Sequence, residues 1–155
     1  MTAGREGPFE LGTDGPTAIL VGVDNSTTSL RAAAYAVGLA RRQGAKMTAV
    51  YVAPVASLAT AAPGGADLAA ARRQAFGQIA DDMRRRFEEA SKELGISVTF
   101  IATEGDPFTE LRRLADEIRA DAVVVGASAH AGHRFVGSLA VRLVRAGRWP
   151  VTVVP

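Results

Sequence analysis

The 155-residue sequence lacks cysteine and has few aromatic residues, 6% of the total. Without cysteine, a disulfide scaffold, thiol catalysis and the usual structural zinc sites are excluded. No apolar run approaches the roughly 18 residues of a membrane-spanning helix, and no basic and apolar signal sequence opens the chain, so we expect no membrane association. A hydrophobic fraction of 48% with a net charge of only +2 excludes a disordered chain.

Acidic residues are missing from the last part of the chain. Residues 122–155 contain no Asp or Glu but four arginines, which gives this segment a formal charge of +4: Arg134, Arg142, Arg145 and Arg148. A second basic run, Arg84–Arg86, has acidic residues four positions before and after it, at Asp81, Asp82, Glu88 and Glu89. That spacing predicts an ion-paired helix face in solvent, and we therefore expect no nucleic-acid partner.

Apolar strands and amphipathic helices alternate along the sequence. Residues 1–16, rich in Gly and Pro, are predicted to be a mobile tail, and residues 17–155 one domain. Apolar runs predict five strands, at residues 17–23, 47–52, 96–103, 121–126 and 150–155. Helices are predicted between them, ending at Gly44, Gly95 and Gly147. This order predicts an α/β fold, an open, doubly wound, five-stranded parallel sheet of Rossmann-like type.

The first helix, residues 28–43, carries an apolar stripe that we expect to face the sheet. Its members are Leu30, Ala33, Ala34, Val37 and Ala40. Before the third helix, Asp106-Pro107 predicts an N-cap followed by proline in the first turn.

Ligands of such sheets bind beyond the carboxyl ends of the strands, where the strand order reverses. Three segments follow strand ends here: residues 24–29, the stretch after Val52, and residues 126–138. The third holds three glycines and two serines directly before a helix, a composition that suits phosphate binding by backbone N–H groups. A structural interpretation stays open, because glycines form turns, Ser138 can be a simple cap, and Asp24 can cap a turn or helix.

Other chemistry has little support in the sequence. His130 and His133 have no nearby carboxylate or cysteine to complete a ligand set, so no metal site is predicted. No Walker A sequence, nucleophile elbow or zinc-protease motif occurs, so no catalytic residue is assigned.

Several segments in order resemble the universal stress protein family. They are Val21-Gly-Val-Asp24-Asn-Ser26 with Ser29, Glu104-Gly-Asp-Pro107, Asp121-Ala-Val-Val-Val-Gly126, Gly137-Ser138 and Trp149-Pro-Val-Thr-Val-Val154. The resemblance covers residues 16–155. It implies a cytoplasmic homodimer that pairs through its last strand, and an apolar strand at Val151–Val154 agrees, because an exposed edge invites pairing with a second copy.

ATP-binding members of the family use a loop with the pattern Gly, two residues, Gly, nine residues, Gly, then Ser or Thr. Gly126, Gly137 and Ser138 match it, whereas Ala129 replaces the second glycine and only seven residues separate it from Gly137; Gly132 offers some compensating flexibility. The resemblance implies that Asp24 lies near ribose and metal and that the Val52 backbone meets adenine.

The resemblance suggests two main functions and a third with less support. The first is a dimer that binds ATP or another adenine nucleotide, with or without Mg²⁺, as a sensor or regulator in a stress response. The second is a nucleotide-free interaction protein that works through its dimer surface. The third is a slow ATP-hydrolysing enzyme.

Overall fold

Strands and helices alternate along the chain in the computed structural model, which describes residues 15–55, 63–128 and 137–155. Most of the expected tail, and the residues Ala129, His130, Gly132, His133 and Arg134, lie outside these ranges. The elements within them are β1 (Ala18–Val23), α1 (Thr27–Gln43), β2 (Lys46–Ala53), α2 (Gly65–Leu94), β3 (Val98–Glu104), α3 (Pro107–Glu117), β4 (Ala122–Gly126), α4 (Ser138–Ala146) and β5 (Val151–Val154). None of the helices in the described ranges is both long and apolar enough to cross a bilayer.

The five strands form one parallel sheet in the order β3-β2-β1-β4-β5. The chain starts at the centre, moves outward to β3, and then returns to the other side of β1 to add β4 and β5. Ile19 of β1 is therefore in register with Met47 of β2 on one side and with Ala122 of β4 on the other. The prediction of an open, doubly wound sheet is confirmed, and the strand order reverses between β1 and β4.

Helices cover both faces of the sheet and bury two apolar layers. Ile19, Val21 and Val23 of β1 pack beneath α1 and α2, whereas Leu20 packs on the opposite face with Leu111 of α3 and Leu143 of α4. Burial on both faces explains why the strand sequences are continuous apolar runs and not alternating patterns.

The helix ends follow the sequence signals. Gly44, Gly95 and Gly147 cap α1, α2 and α4 with φ of 63°, 64° and 61°, the left-handed conformation that glycine adopts without steric cost. Asp106 caps α3 through a hydrogen bond from the Thr109 backbone N–H, as predicted.

The predicted buried face of α1 is wrong by part of a turn. The residues that it buries are Ser29, Ala32, Ala33, Ala36 and Ala40. Leu30, which we expected in the core, is 40% exposed. Every buried residue of α1 has a small side chain, whereas Val37 and Leu39 are partly buried and pack against the same core.

Candidate functional site

A cleft of about 230 Å³ opens at the carboxyl ends of β1 and β4, where the strand order reverses. Its walls come from the ends of β1, β2 and β4 and from the first turns of α1, α3 and α4. All five residues that the sequence nominated line it: Asp24, Val52, Gly126, Gly137 and Ser138. The structure therefore brings together residues from four separate parts of the chain. The individual roles that we expect for them are still predictions.

Asp24 is held in a tight turn at the end of β1. Its Oδ1 accepts a hydrogen bond from the Ser26 backbone N–H at 2.9 Å, and its own N–H donates to Ser29 Oγ at 3.2 Å. Burial raises the pKa of the Asp24 carboxyl, but the hydrogen bonds of Ser26 and Ser29 outweigh burial, and the net pKa lies below the ordinary 3.8. The side chain thus caps a turn and also presents a negative charge to the cleft at neutral pH.

The first turn of α1 contacts the end of β4 directly. Thr28 Oγ1 donates a hydrogen bond to the carbonyl oxygen of Ala127 at 2.7 Å, and the Thr28 hydroxyl lies 3.3 Å from that of Ser26. A Cβ atom on Gly126 would lie 2.6 Å from the Thr28 carbonyl carbon. Gly126 is therefore required by packing: the space beside it is filled by the α1 backbone.

Thr28 lies within the nominated segment 24–29, but sequence reasoning did not single it out as a cleft residue. Its partner Ala127 lies 99 positions away. The local signal was the run of hydroxyl residues from Ser26 to Ser29, of which Ser26 serves as the N-cap of α1 by accepting from the Ser29 N–H. Nothing in that run shows which hydroxyl reaches across to β4.

The first turn of α4 faces the cleft, and no side chain in the described part of the chain caps it. Gly137 is its N-cap residue, Ser138 is its first helical residue, and its first turn contains no acidic residue. By contrast, Ser26 caps α1 and Asp106 caps α3. Among the described residues, α4 is thus the one helix at the cleft whose orphan N–H groups meet no capping side chain. Such groups, with the positive end of the helix dipole, bind anions.

Two arginines of the acid-free C-terminal segment form ion pairs in the structure. Arg142 pairs with Asp106 and Arg148 pairs with Asp116, so carboxylates of α3 balance two of the four arginines. The absence of acid within residues 122–155 does not leave these guanidinium groups free, because the partners come from an earlier helix. Arg134 lies outside the described residues.

Carboxylates are scarce at the cleft. Asp24 is the only one lining it in the described part of the chain, where no cluster of three potential metal ligands occurs either. Away from the cleft, the Arg84–Arg86 run forms ion pairs with Asp81 and Asp82 at 2.7–2.9 Å. The predicted ion-paired helix face is confirmed for Asp81 and Asp82, whereas the described residues show no ion pair to Glu88 or Glu89.

The fold and the cleft define a parallel α/β domain with a ligand-sized opening at its switch point. Residues 17–155 match the Universal stress protein family, and the chain belongs to this family. The resemblance read from the sequence motifs is confirmed.

Individual relatives agree with the family assignment. A universal stress protein of Methanocaldococcus jannaschii is 29% identical over 139 residues, which covers 88% of this chain and 80% of the relative. The structure of universal stress protein UspA from Lactobacillus plantarum is 28% identical, covers 90% of this chain and 97% of its own, and superposes with a TM-score of 0.74. A universal stress protein in complex with cAMP is 26% identical, covers 90% of this chain and 96% of its own, and gives a TM-score of 0.61.

Proposed function

We propose that this universal stress protein binds an adenine nucleotide in the switch-point cleft and acts as a nucleotide-responsive regulator in a stress response. The observation that carries the proposal is the first turn of α4, where Gly137 and Ser138 face the cleft and the described residues provide no capping side chain. The cAMP complex of a 26% identical relative supports the same ligand class.

The nucleotide would lie across the cleft from α3 to α4. The phosphates would accept hydrogen bonds from the first N–H groups of α4 and from the Ser138 hydroxyl, because both donors face the opening. The adenine would lie at the other end, against the Val52 backbone and the ring of Pro107, both of which line the cleft. Asp24 would accept hydrogen bonds from ribose hydroxyls or hold a Mg²⁺ ion brought by the phosphates.

Calorimetric titration with ATP, AMP and cAMP, each with and without Mg²⁺, tests the proposal. We expect saturable heat with at least one nucleotide, and no heat with any of them at millimolar concentration would overturn it.

The variant Ser138→Asp makes the test specific to the first turn of α4. A carboxylate there favours the helix dipole and should leave stability unchanged or raise it by about 0.3–1 kcal/mol. The same charge repels a phosphate, so nucleotide binding should be lost. Ser138→Asn, of the same shape without the charge, is the matched control and should retain measurable binding. Loss of binding in both variants, or in neither, would contradict the role of the helix N-terminus.

We also propose that two copies pair through β5. The strand β5 forms an edge of the described sheet, and all four of its residues are only half-buried. Three of these residues are valines, so the edge exposes apolar surface. Val144, 56% exposed, lies two residues from Arg142 on α4 and hence about 200° around the helix from it, on the side away from α3. Pairing of two copies about a two-fold axis would cover the edge of β5, and we expect it to cover Val144 as well.

Light scattering after size exclusion tests the dimer. Val144→Lys should shift the protein to a monomer without loss of fold, because the side chain is exposed in the single chain. Leu68→Lys, at a leucine on α2 that is 47% exposed, is the matched control and should stay dimeric. A monomeric wild type would refute the pairing.

A nucleotide-free interaction protein is the second candidate. The sequence departs from the nucleotide-binding loop pattern at Ala129 and in loop length, and this favours it. Purification of the protein with bound nucleotide, detected by absorbance and mass spectrometry after denaturation, would exclude this alternative.

A further inference from the structure

We propose that the ion pair between Asp106 and Arg142 is a positioning device for the nucleotide cleft: it fixes the separation of the first turns of α3 and α4 and thereby sets nucleotide affinity. This inference rests on the proposed function.

The pair joins two helices through both oxygens of one carboxylate. Arg142 Nη1 donates to Asp106 Oδ1 at 3.1 Å, and Nη2 donates to Oδ2 at 3.2 Å. The guanidinium carbon also lies 4.3 Å from the centre of the Phe108 ring. A planar, two-pronged contact that stacks on a ring restricts orientation more than a single charge contact does.

The acidic partner is itself immobilised by the start of α3. Asp106 Oδ2 accepts hydrogen bonds from the Thr109 N–H at 2.9 Å and from Thr109 Oγ1 at 2.7 Å. These contacts and the Arg142 guanidinium lower the pKa of Asp106 to about 2, with the Arg142 hydrogen bonds as the largest cause. The carboxylate is therefore charged at every pH at which the protein is expected to work.

Each partner of the pair lies close to a residue that lines the cleft. Pro107 directly follows Asp106, and Ser138 precedes Arg142 by four residues, just over one helical turn or about 6 Å. Neither Asp106 nor Arg142 is among the cleft-lining residues. Pro107 and Ser138 lie on the α3 and α4 walls of the cleft, so a shift of either helix start would change the space that a ligand occupies.

A second ion pair joins the α3 and α4 regions further from the cleft, and it provides a comparison for the first. Arg148, just beyond α4, donates to Asp116 near the end of α3 at 2.9 Å. Asp116 lies ten residues after Asp106, which places it about 15 Å further along α3, away from the cleft. The side chains of both pairs are similarly exposed, between 39% and 49%, so solvent screens the two pairs to a similar extent.

The experiment compares the two pairs with matched variants. Asp106→Asn keeps an N-cap residue of equal strength and loses the charge, and Arg142→Gln removes the other partner. Asp116→Asn and Arg148→Gln do the same at the distant pair. Calorimetry with AMP and with ATP should show roughly three- to tenfold weaker binding for the first two variants and less than a twofold change for the other two.

Two further readouts separate positioning from a general loss of structure. Amide exchange in the first turn of α4, residues 138–141, should accelerate without ligand in Asp106→Asn and Arg142→Gln and be unchanged in the distant variants. The double variant of Asp106 and Arg142 should bind no more weakly than either single variant, because one removal already breaks the pair.

Each outcome bears on one claim. Equal affinity in all four variants, with unchanged amide exchange, would overturn the positioning role. If the wild-type protein binds no nucleotide, the proposed function and the control of affinity are both refuted. Faster amide exchange in Asp106→Asn and Arg142→Gln would then still show that the ion pair holds the first turns of α3 and α4 together.

Discussion

Adding one methyl group at Gly126 should destabilise the protein through a clash with backbone. The new Cβ would lie 2.6 Å from the Thr28 carbonyl carbon, and 2.7 Å from both the Thr28 oxygen and the Ser29 nitrogen. Ordinary contact between such atoms is about 3.5–4 Å, so α1 and β4 must separate by about 1 Å. Overpacking of this kind costs about 1–3 kcal/mol, and we expect a value in the upper half because the clashing atoms cannot rotate away.

Urea unfolding at neutral pH measures the change in the free energy of unfolding of Gly126→Ala. A loss of about 2–3 kcal/mol should also lower the melting temperature in a thermal scan by roughly 4–12 °C for a chain of this size.

Gly77→Ala is the control for the Gly126 substitution. An added Cβ at Gly77, inside α2, meets no atom within 4 Å, so the same substitution should stabilise by about 0.5–1 kcal/mol. A Gly126→Ala protein within about 0.5 kcal/mol of wild type would refute the assignment of Gly126 to packing.

Two polar contacts yield further predictions. Ser29→Ala should lower the free energy of unfolding by about 1–2 kcal/mol, since the Asp24 N–H loses its partner. It should also move the pKa of Asp24 up toward 3.8, measurable by NMR titration; an unchanged titration would contradict the account of that carboxylate. At Asp121, burial raises the carboxyl pKa but hydrogen bonds from Thr17 and Ala18 lower it below 3.8. The resulting stability is present above pH 3.8 and is lost as the pH falls through the folded-state value, so Asp121→Asn should flatten the acid limb of the stability profile. An acid limb identical to that of wild type would argue against these hydrogen bonds.

The sheet was predictable because its signals are local and redundant. Strands buried on both faces need continuous apolar runs, and each helix end at Gly44, Gly95 and Gly147 is marked by the residue that its backbone requires. The face of α1 was not predictable in this way. Hydrophobicity alone predicts that Leu30 is buried in preference to Ser29. Because the start of the helix lies close to β4, the position that faces β4 requires a small side chain, and Ser29 is the buried residue.

The candidate site was predictable in position more than in mechanism. The switch-point rule led to residues that do line one cleft, because the ends of parallel strands must meet at one edge of the sheet. The contacts that shape the cleft join residues far apart in sequence, such as Thr28 with Ala127 and Asp106 with Arg142. The Asp106-Pro107 sequence identified Asp106 as an N-cap. The ion pair of the same carboxylate with Arg142 has no signal in the neighbouring sequence.

The two glycines nominated as phosphate ligands have different reasons to be glycine. At Gly126 the neighbouring α1 backbone excludes any side chain, so a glycine is needed there whether or not a nucleotide binds. At Gly137 an added Cβ would meet the Ser128 side chain at 2.8 Å, a contact between two parts of the cleft wall and not with a packed helix. Gly126 therefore says little about the ligand. The proposal of a phosphate site depends instead on Gly137 and Ser138, where a helix begins at the cleft and no side chain from the described residues caps its first N–H groups.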